Sequence, residues 1–217
     1  THWKIGRRLG LAFVVCIAAI VAMAVLARMH LGQAAAEIES LVGNEMVKVQ
    51  QLTQIKDQLN VVARGVRNIA LLSDAADKQA EKKRIDEMRA ATAQVLGKLD
   101  HTATSDEDRS LLKAVRAAVS PYEAAMDQAI GLGLAGDNAG ATRLLLKEVR
   151  PLQAAYFKAV DALQASQQGL MARRAEVIKV QARTDGVVML TLALVAAVVA
   201  WLGAWAITRS IVRPIAA

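Results

Sequence analysis

The sequence predicts an all-α protein, an antiparallel up-down-up-down four-helix bundle whose long first and fourth helices are continuous with two transmembrane helices. Three observations predict it. Two uncharged apolar runs, residues 9–27 and 186–208, bracket an amphipathic middle. Apolar side chains in that middle recur at spacings of three and four, the pattern of helix faces and not of strands. Aromatic residues are only 3% of the chain, so a sheet has little to be built from.

The apolar runs are 19 and 23 residues long, and at about 1.5 Å per residue each is long enough to cross a hydrocarbon core about 30 Å thick. Lys4, Arg7 and Arg8 precede the first run without an acid, and Arg209 and Arg213 follow the second. Basic residues beside a span stay on the cytoplasmic side, which predicts a cytoplasmic segment 1–8, a span 9–27, a periplasmic domain 28–185, a span 186–208 and a second cytoplasmic segment from 209. A cleaved signal peptide competes for the first run, but its uncharged length exceeds the usual apolar core of about 7–15 residues. Trp201 and Trp205 fit an aromatic anchor at the inner interface.

All 20 acids lie within 28–185, while five of the 27 basic residues flank the spans. The formal charge of +7 therefore reflects membrane topology, and the middle region has no excess suited to nucleic acid. Cys16 is the one cysteine and lies inside the first span, so no intrachain disulfide can form and the fold must hold by packing.

Four seams predict four helices. Leu52, Ile55, Leu59, Val62, Val66 and Ile69 form the first, and Ile85, Met88, Thr92, Val95 and Leu99 the second. Leu112, Val115, Val119, Tyr122, Met126 and Ala129 form the third, and Val149, Leu152, Tyr156, Ala159 and Leu163 the fourth. Ser73 or Asp74 caps the second helix, and Ser105 with Asp108 reads as a capping box for the third. Gly131, Gly133 and Gly136 loosen the end of the third helix, and Asp137 caps the fourth. Such short connections force antiparallel neighbours. The first helix is expected unbroken from Arg28 to about Leu72 and the fourth from about Asn138 into the second span, so the bundle should cap a two-helix stalk. Pro121 and Pro151 should each kink the helix that contains them.

On the side of the first helix opposite its seam run Val42, Met46, Val49, Thr53, Asn60, Arg64, Arg67 and Leu71. This stripe reads as a homodimer contact between first helices, with a basic patch at its distal end; a mixed solvent-facing surface is the competing reading. Arg64 and Arg67 share one face next to Asn68, and Thr142 and Arg143 should lie at the same height on the fourth helix. Guanidinium forks bind carboxylates in pairs, so these five residues are the candidate ligand site. Arg109, Lys113 and Arg116 form a second basic row. No catalytic triad, metal-ligand spacing or phosphate loop appears, and neither a cofactor nor an enzymatic activity is expected.

The opening His2-Trp-Lys-Ile-Gly-Arg-Arg-Leu-Gly-Leu-Ala-Phe13, the segment Arg64-Gly-Val-Arg-Asn-Ile-Ala-Leu-Leu-Ser-Asp74 and the segment Glu148-Val-Arg-Pro-Leu-Gln153 resemble bacterial methyl-accepting chemotaxis receptors with a four-helix-bundle sensor domain. The segment Ile207-Thr-Arg-Ser-Ile-Val-Arg-Pro-Ile215 resembles the entry to a HAMP relay module, with Pro214 at its proline, which makes 209–217 the start of that module. The resemblance implies an inner-membrane homodimer whose periplasmic bundle binds a small ligand. It also implies that a slight axial movement of the fourth helix passes the signal to a cytoplasmic histidine kinase and its coupling protein. In the aspartate receptor of this family, arginines on the first helices and a threonine early in the fourth hold the ligand, and Arg64, Arg67 and Thr142 occupy comparable places. The arginine spacing differs, so a dicarboxylate or an aromatic acid is as good a candidate as an amino acid. Some relatives bind inside one bundle, which makes Arg109, Arg116 and Tyr122 the alternative site.

The same sensor arrangement precedes histidine kinases and diguanylate cyclases, so the input half of such an enzyme is the runner-up. A membrane-tethered helical adaptor that binds protein is the third reading.

Overall fold

The structure, a computed structural model, describes residues 5–215, and of their side chains those of residue 10, residues 13–205 and Thr208. The expectations resting on Lys4, Arg7, Arg8, Arg209, Arg213 and Pro214 lie outside the described side chains. Every element among the described residues is helical: α1 (Ile5–Ser40), a π-widened turn (Leu41–Met46), α2 (Val47–Leu71), α3 (Ala75–Thr102), α4 (Asp106–Leu134), α5 (Asn138–Leu144), a second π-widened turn (Leu145–Val149) and α6 (Arg150–Ile215). The chain divides into two compact units, one made of the chain up to Leu41 with the chain from Arg173, the other Val42–Ala172.

In the first unit the apolar stretches of α1 and α6 are long enough to cross a membrane, and neither is buried inside the protein. Exposure separates such a helix from the apolar core helix of a soluble domain, so these two fit a membrane protein. His30 Nδ1 of α1 lies 3.0 Å from Asp185 Oδ2 of α6, and Asp185 Oδ1 accepts from Gln181 Nε2.

The second unit is the four-helix bundle, and its core follows from the seams. All six seam residues of α2 are buried, joined by Ile85, Val95 and Leu99 of α3 and by Leu112, Val115, Tyr122, Met126 and Ala129 of α4. Val149, Tyr156 and Leu163 of the fourth helix are buried, and Met88, Val119, Leu152 and Ala159 pack against the core from its edge. Leu96, Ile130 and Val160 add to it from positions between the seam residues. Helix α2 packs most extensively on α3 and also touches α4 and α5.

The connections are residues 72–74, 103–105 and 135–137, each short enough to reverse the chain at once. Asp74, not Ser73, caps α3, its carboxylate accepting from the amides of Ala76 and Asp77. Ser105 Oγ accepts from the Asp108 amide. The expected return bond of the capping box gives way to a tertiary one, because the buried Asp108 carboxylate accepts from Gln167 Nε2 of α6 at 2.6 Å. At the end of α4, Gly136 takes φ 87°, and the amides of Gly136 and Asp137 close back on the carbonyls of Gly133 and Leu132. Only glycine adopts that backbone without strain. Asp137 then caps α5 by accepting from the Gly140 amide.

The first helix runs on to Leu71 without a break, as expected, and is widened to π geometry at Leu41–Met46. Helix α4 continues through Pro121, whose ring is exposed. Pro151 follows the second π-widened turn, where the helix loosens just before a residue that has no amide to donate.

The α2–α3 end of the bundle is drawn tight by two glycines. A Cβ on Gly65 would stand 2.8 Å from Ile85 Cγ1, and one on Gly133 would stand 2.8 Å from Ile69 Cγ2. Lys78 of α3 is buried beside them, its ammonium donating to the Gly133 carbonyl at 2.5 Å and to Asn138 Oδ1 at 3.1 Å. A cation at a helix C-terminus meets the negative end of the dipole and satisfies an orphan carbonyl. Lys78→Met should therefore lower stability by about 2–3 kcal/mol, read by thermal melting of helical circular dichroism; an unchanged melt would mean that the ammonium does not hold these helix ends.

Candidate functional site

On the α2 side the candidate site begins with a helix that spends one face on the core and leaves the next free. Ala63 and Ala70 are buried, while Arg67 and Leu71, one helical turn apart, are exposed beside them. The fourth helix faces them with Thr142, Leu145, Leu146, Val149, Arg150 and Gln153. Together these residues line a groove of about 440 Å³, of the size that holds a small organic ligand.

The register of the two sides can be fixed from contacts lower in the bundle. Gln164 Nε2 donates to Thr53 Oγ1 at 3.3 Å, and Lys56 Nζ donates to Asp161 Oδ1 at 2.6 Å. Three residues forward on α2 match three residues back on α6, as antiparallel helices require. Carried up the pair, that register puts Arg67 level with Arg150.

Neither arginine has an acidic partner among the described residues, and the one hydrogen bond of Arg67 runs from Nε to the Ala63 carbonyl of its own helix at 3.2 Å. Two guanidinium groups at one level repel each other and are left to find an anion. Thr142 Oγ1 donates to the Asn138 carbonyl at 2.8 Å, so its proton is already committed within the helix.

The structure thus brings Arg67 and Thr142 into one groove and leaves the other sequence candidates outside its lining. Arg64 is exposed on α2, Arg143 is exposed on α5, and Asn68 turns towards α3, donating to Glu81 Oε1 at 3.0 Å. Arg150 and Gln153 were not singled out by sequence reasoning. Gln153 shares the groove with Thr142 across the π-widened turn at Leu145–Val149, whose change of pitch α-helical spacing does not reveal.

The alternative trio is not brought together. Arg109 pairs with Asp106 and donates to the Thr104 carbonyl, while Arg116 pairs with Asp100 and reaches the Leu96 carbonyl. Tyr122 is in the core, edge-on to Tyr156 with ring centroids 5.8 Å apart. Between α3 and α4, Arg89 spans to Asp127 at 2.6 Å and to Glu123 at 3.4 Å, and its bond to Asp127 holds the guanidinium protonated well above its ordinary range. Among the described residues no group of three or more His, Cys, Asp or Glu side chains is placed to hold a metal ion.

Residues 2–171 match a family described as a four helix bundle sensory module for signal transduction. The chain belongs to this family. The match takes in the first apolar stretch and all four bundle helices, so the groove lies within the sensory module. No curated protein matches the chain.

The tyrosine pair gives the sensory module a pH limit. Burial raises both phenols above their ordinary value, with Tyr156 adding to the effect on Tyr122 and Glu123 to that on Tyr156. The folded state therefore keeps protons that the unfolded chain loses near pH 10. Stability from this source is complete below about pH 10 and falls as pH rises further. Neither hydroxyl has a hydrogen-bond partner among the described residues. Tyr122→Phe should cost less than about 1 kcal/mol at neutral pH and move alkaline unfolding, followed by circular dichroism, to higher pH; a large loss at neutral pH would reveal a partner for that hydroxyl.

Proposed function

We propose that this chain is the input part of a bacterial chemoreceptor that binds a small organic carboxylate in the groove between α2 and the start of the fourth helix. The observation that carries this reading is the level pair Arg67 and Arg150, both without an acid partner among the described residues, in a groove that also presents Thr142 and Gln153. Family membership supplies the signalling role, and paired guanidinium groups supply the preference for carboxylate.

In this reading residues 28–185 lie in the periplasm, 9–27 and 186–208 cross the inner membrane, and 1–8 and 209–217 are cytoplasmic, the latter opening a HAMP module. A homodimer forms through the first helix. Of the stripe, Val42, Met46, Thr53, Asn60 and Arg64 are exposed and Val49 is half-buried, which leaves this part available to a second copy, while Arg67 and Leu71 at its end line the groove. The relay then runs along the fourth helix to a cytoplasmic histidine kinase and its coupling protein.

A panel of small carboxylates, measured by calorimetry and thermal shift on the 217-residue chain in nanodiscs, should contain ligands that stabilise it, because a ligand of the folded state raises its melting point. Arg67→Ala and Arg150→Ala should each weaken such a ligand by about ten- to a hundredfold, the loss of a charge-assisted contact. A panel without any binder would sink the proposal. Met46→Arg, at an exposed position of the stripe, should halve the mass measured by sedimentation of the detergent-solubilised chain without lowering its helix content; an undisturbed dimer would place the contact elsewhere.

A further inference from the structure

The groove is not uniform along its length, and its two ends want different chemistry. Arg67, folded back towards Ala63, lies level with Arg150, and Gln153 follows one turn further down the fourth helix. This end offers two cations and an amide. The other end is bounded by Ala70 and Leu71 of α2 and by Leu145 and Leu146 of the fourth helix. Leu71 is 75% and Leu146 61% exposed, an unusual amount of aliphatic surface beside a charged pair.

Thr142 is the one polar side chain lining the apolar end, and its hydroxyl proton is committed to the Asn138 carbonyl. What remains is a lone pair, which a carboxylate cannot use, since an ionised carboxylate only accepts. A dicarboxylate seated at Arg67 and Arg150 would thus set its second charge against leucines that offer it no donor. An α-amino acid fares no better at the basic end. Its ammonium would sit beside two guanidinium groups, and no Asp or Glu lines the groove to receive it.

The span of the apolar end is set by helix geometry. From Arg67 to Leu71 the rise is about 6 Å, the length of a benzene ring or a short branched chain.

Resting on the carboxylate reading above, we infer that the ligand is a monocarboxylate with a compact apolar body and no amino group, an aromatic or branched-chain acid. Its carboxylate lies between Arg67 and Arg150 and its body on Leu71, Leu145 and Leu146. Leu146 is then a specificity-determining residue, and its high exposure lets it be changed without disturbing the core.

The test is isothermal calorimetry on the 217-residue chain in nanodiscs with benzoate, isovalerate, succinate and phenylalanine as probes. Benzoate or isovalerate should bind at least about tenfold more tightly than succinate and phenylalanine, as expected from apolar area removed from water. Leu146→Asn should weaken benzoate several-fold and narrow its lead over succinate. Succinate or phenylalanine binding as tightly as both monocarboxylates would overturn the inference while leaving the carboxylate groove standing. Benzoate affinity untouched by Leu146→Asn would overturn it as well. If none of the four probes nor any other carboxylate binds, the groove reading itself falls, and this inference falls with it.

Discussion

The bundle depends on the burial of one stripe of α2. Leu52, Ile55, Leu59, Val62, Val66 and Ile69 are each almost wholly removed from solvent, and the helix that carries them touches three others. With a single cysteine in the chain, no covalent tie can share the work. The free face of α2 inherits its position from this constraint. Because the seam fixes the rotation of the helix about its axis, Arg67 has only one place to go.

Polar groups inside the bundle then set what apolar packing leaves open. Thr92 donates to Gln58 Oε1 at 2.8 Å in the middle, Lys78 holds the end of α4, and Gln167 donates to Asp108 at the other end. Apolar seams tolerate a slip of one heptad, whereas a buried hydrogen bond made at only one register does not. These three contacts join α2 to α3, α3 to α4 and α4 to α6 in turn. Close packing at Gly65 and Gly133 works in the same direction, since both helix crossings exist only where no Cβ intervenes.

Much of this was legible in the sequence because its causes are local. Heptad spacing identified the core faces, and side-chain caps at Ser105 and Asp137 placed helix starts to the residue. What escaped depends on residues far apart in the chain. Lys78 reads as an ordinary surface lysine until α3 is laid against the end of α4. Arg150 gains its meaning from the register of α6 on α2, which no local pattern encodes. Asp108 looked like half of a capping box because the competing partner, Gln167, lies 59 residues away. Tyr122 was placed on a seam and also offered as a ligand residue, and burial decides for the seam.

Most of the polar contacts that tie the fourth helix to the bundle lie at its surface. Lys56 to Asp161, Thr53 to Gln164 and Glu107 to Ser166 are made at the surface by side chains, several of them long and free to re-extend. They flank an apolar stripe of the same helix, Tyr156, Val160 and Leu163, that is buried in the core, while α2, α3 and α4 are also tied internally by Gln58, Thr92 and Lys78. The stiff partner at the far end is Gln167 on Asp108, a buried bond that behaves as a stop. The fourth helix is therefore pinned by a buried polar contact at one end and held above it by apolar packing and surface pairs.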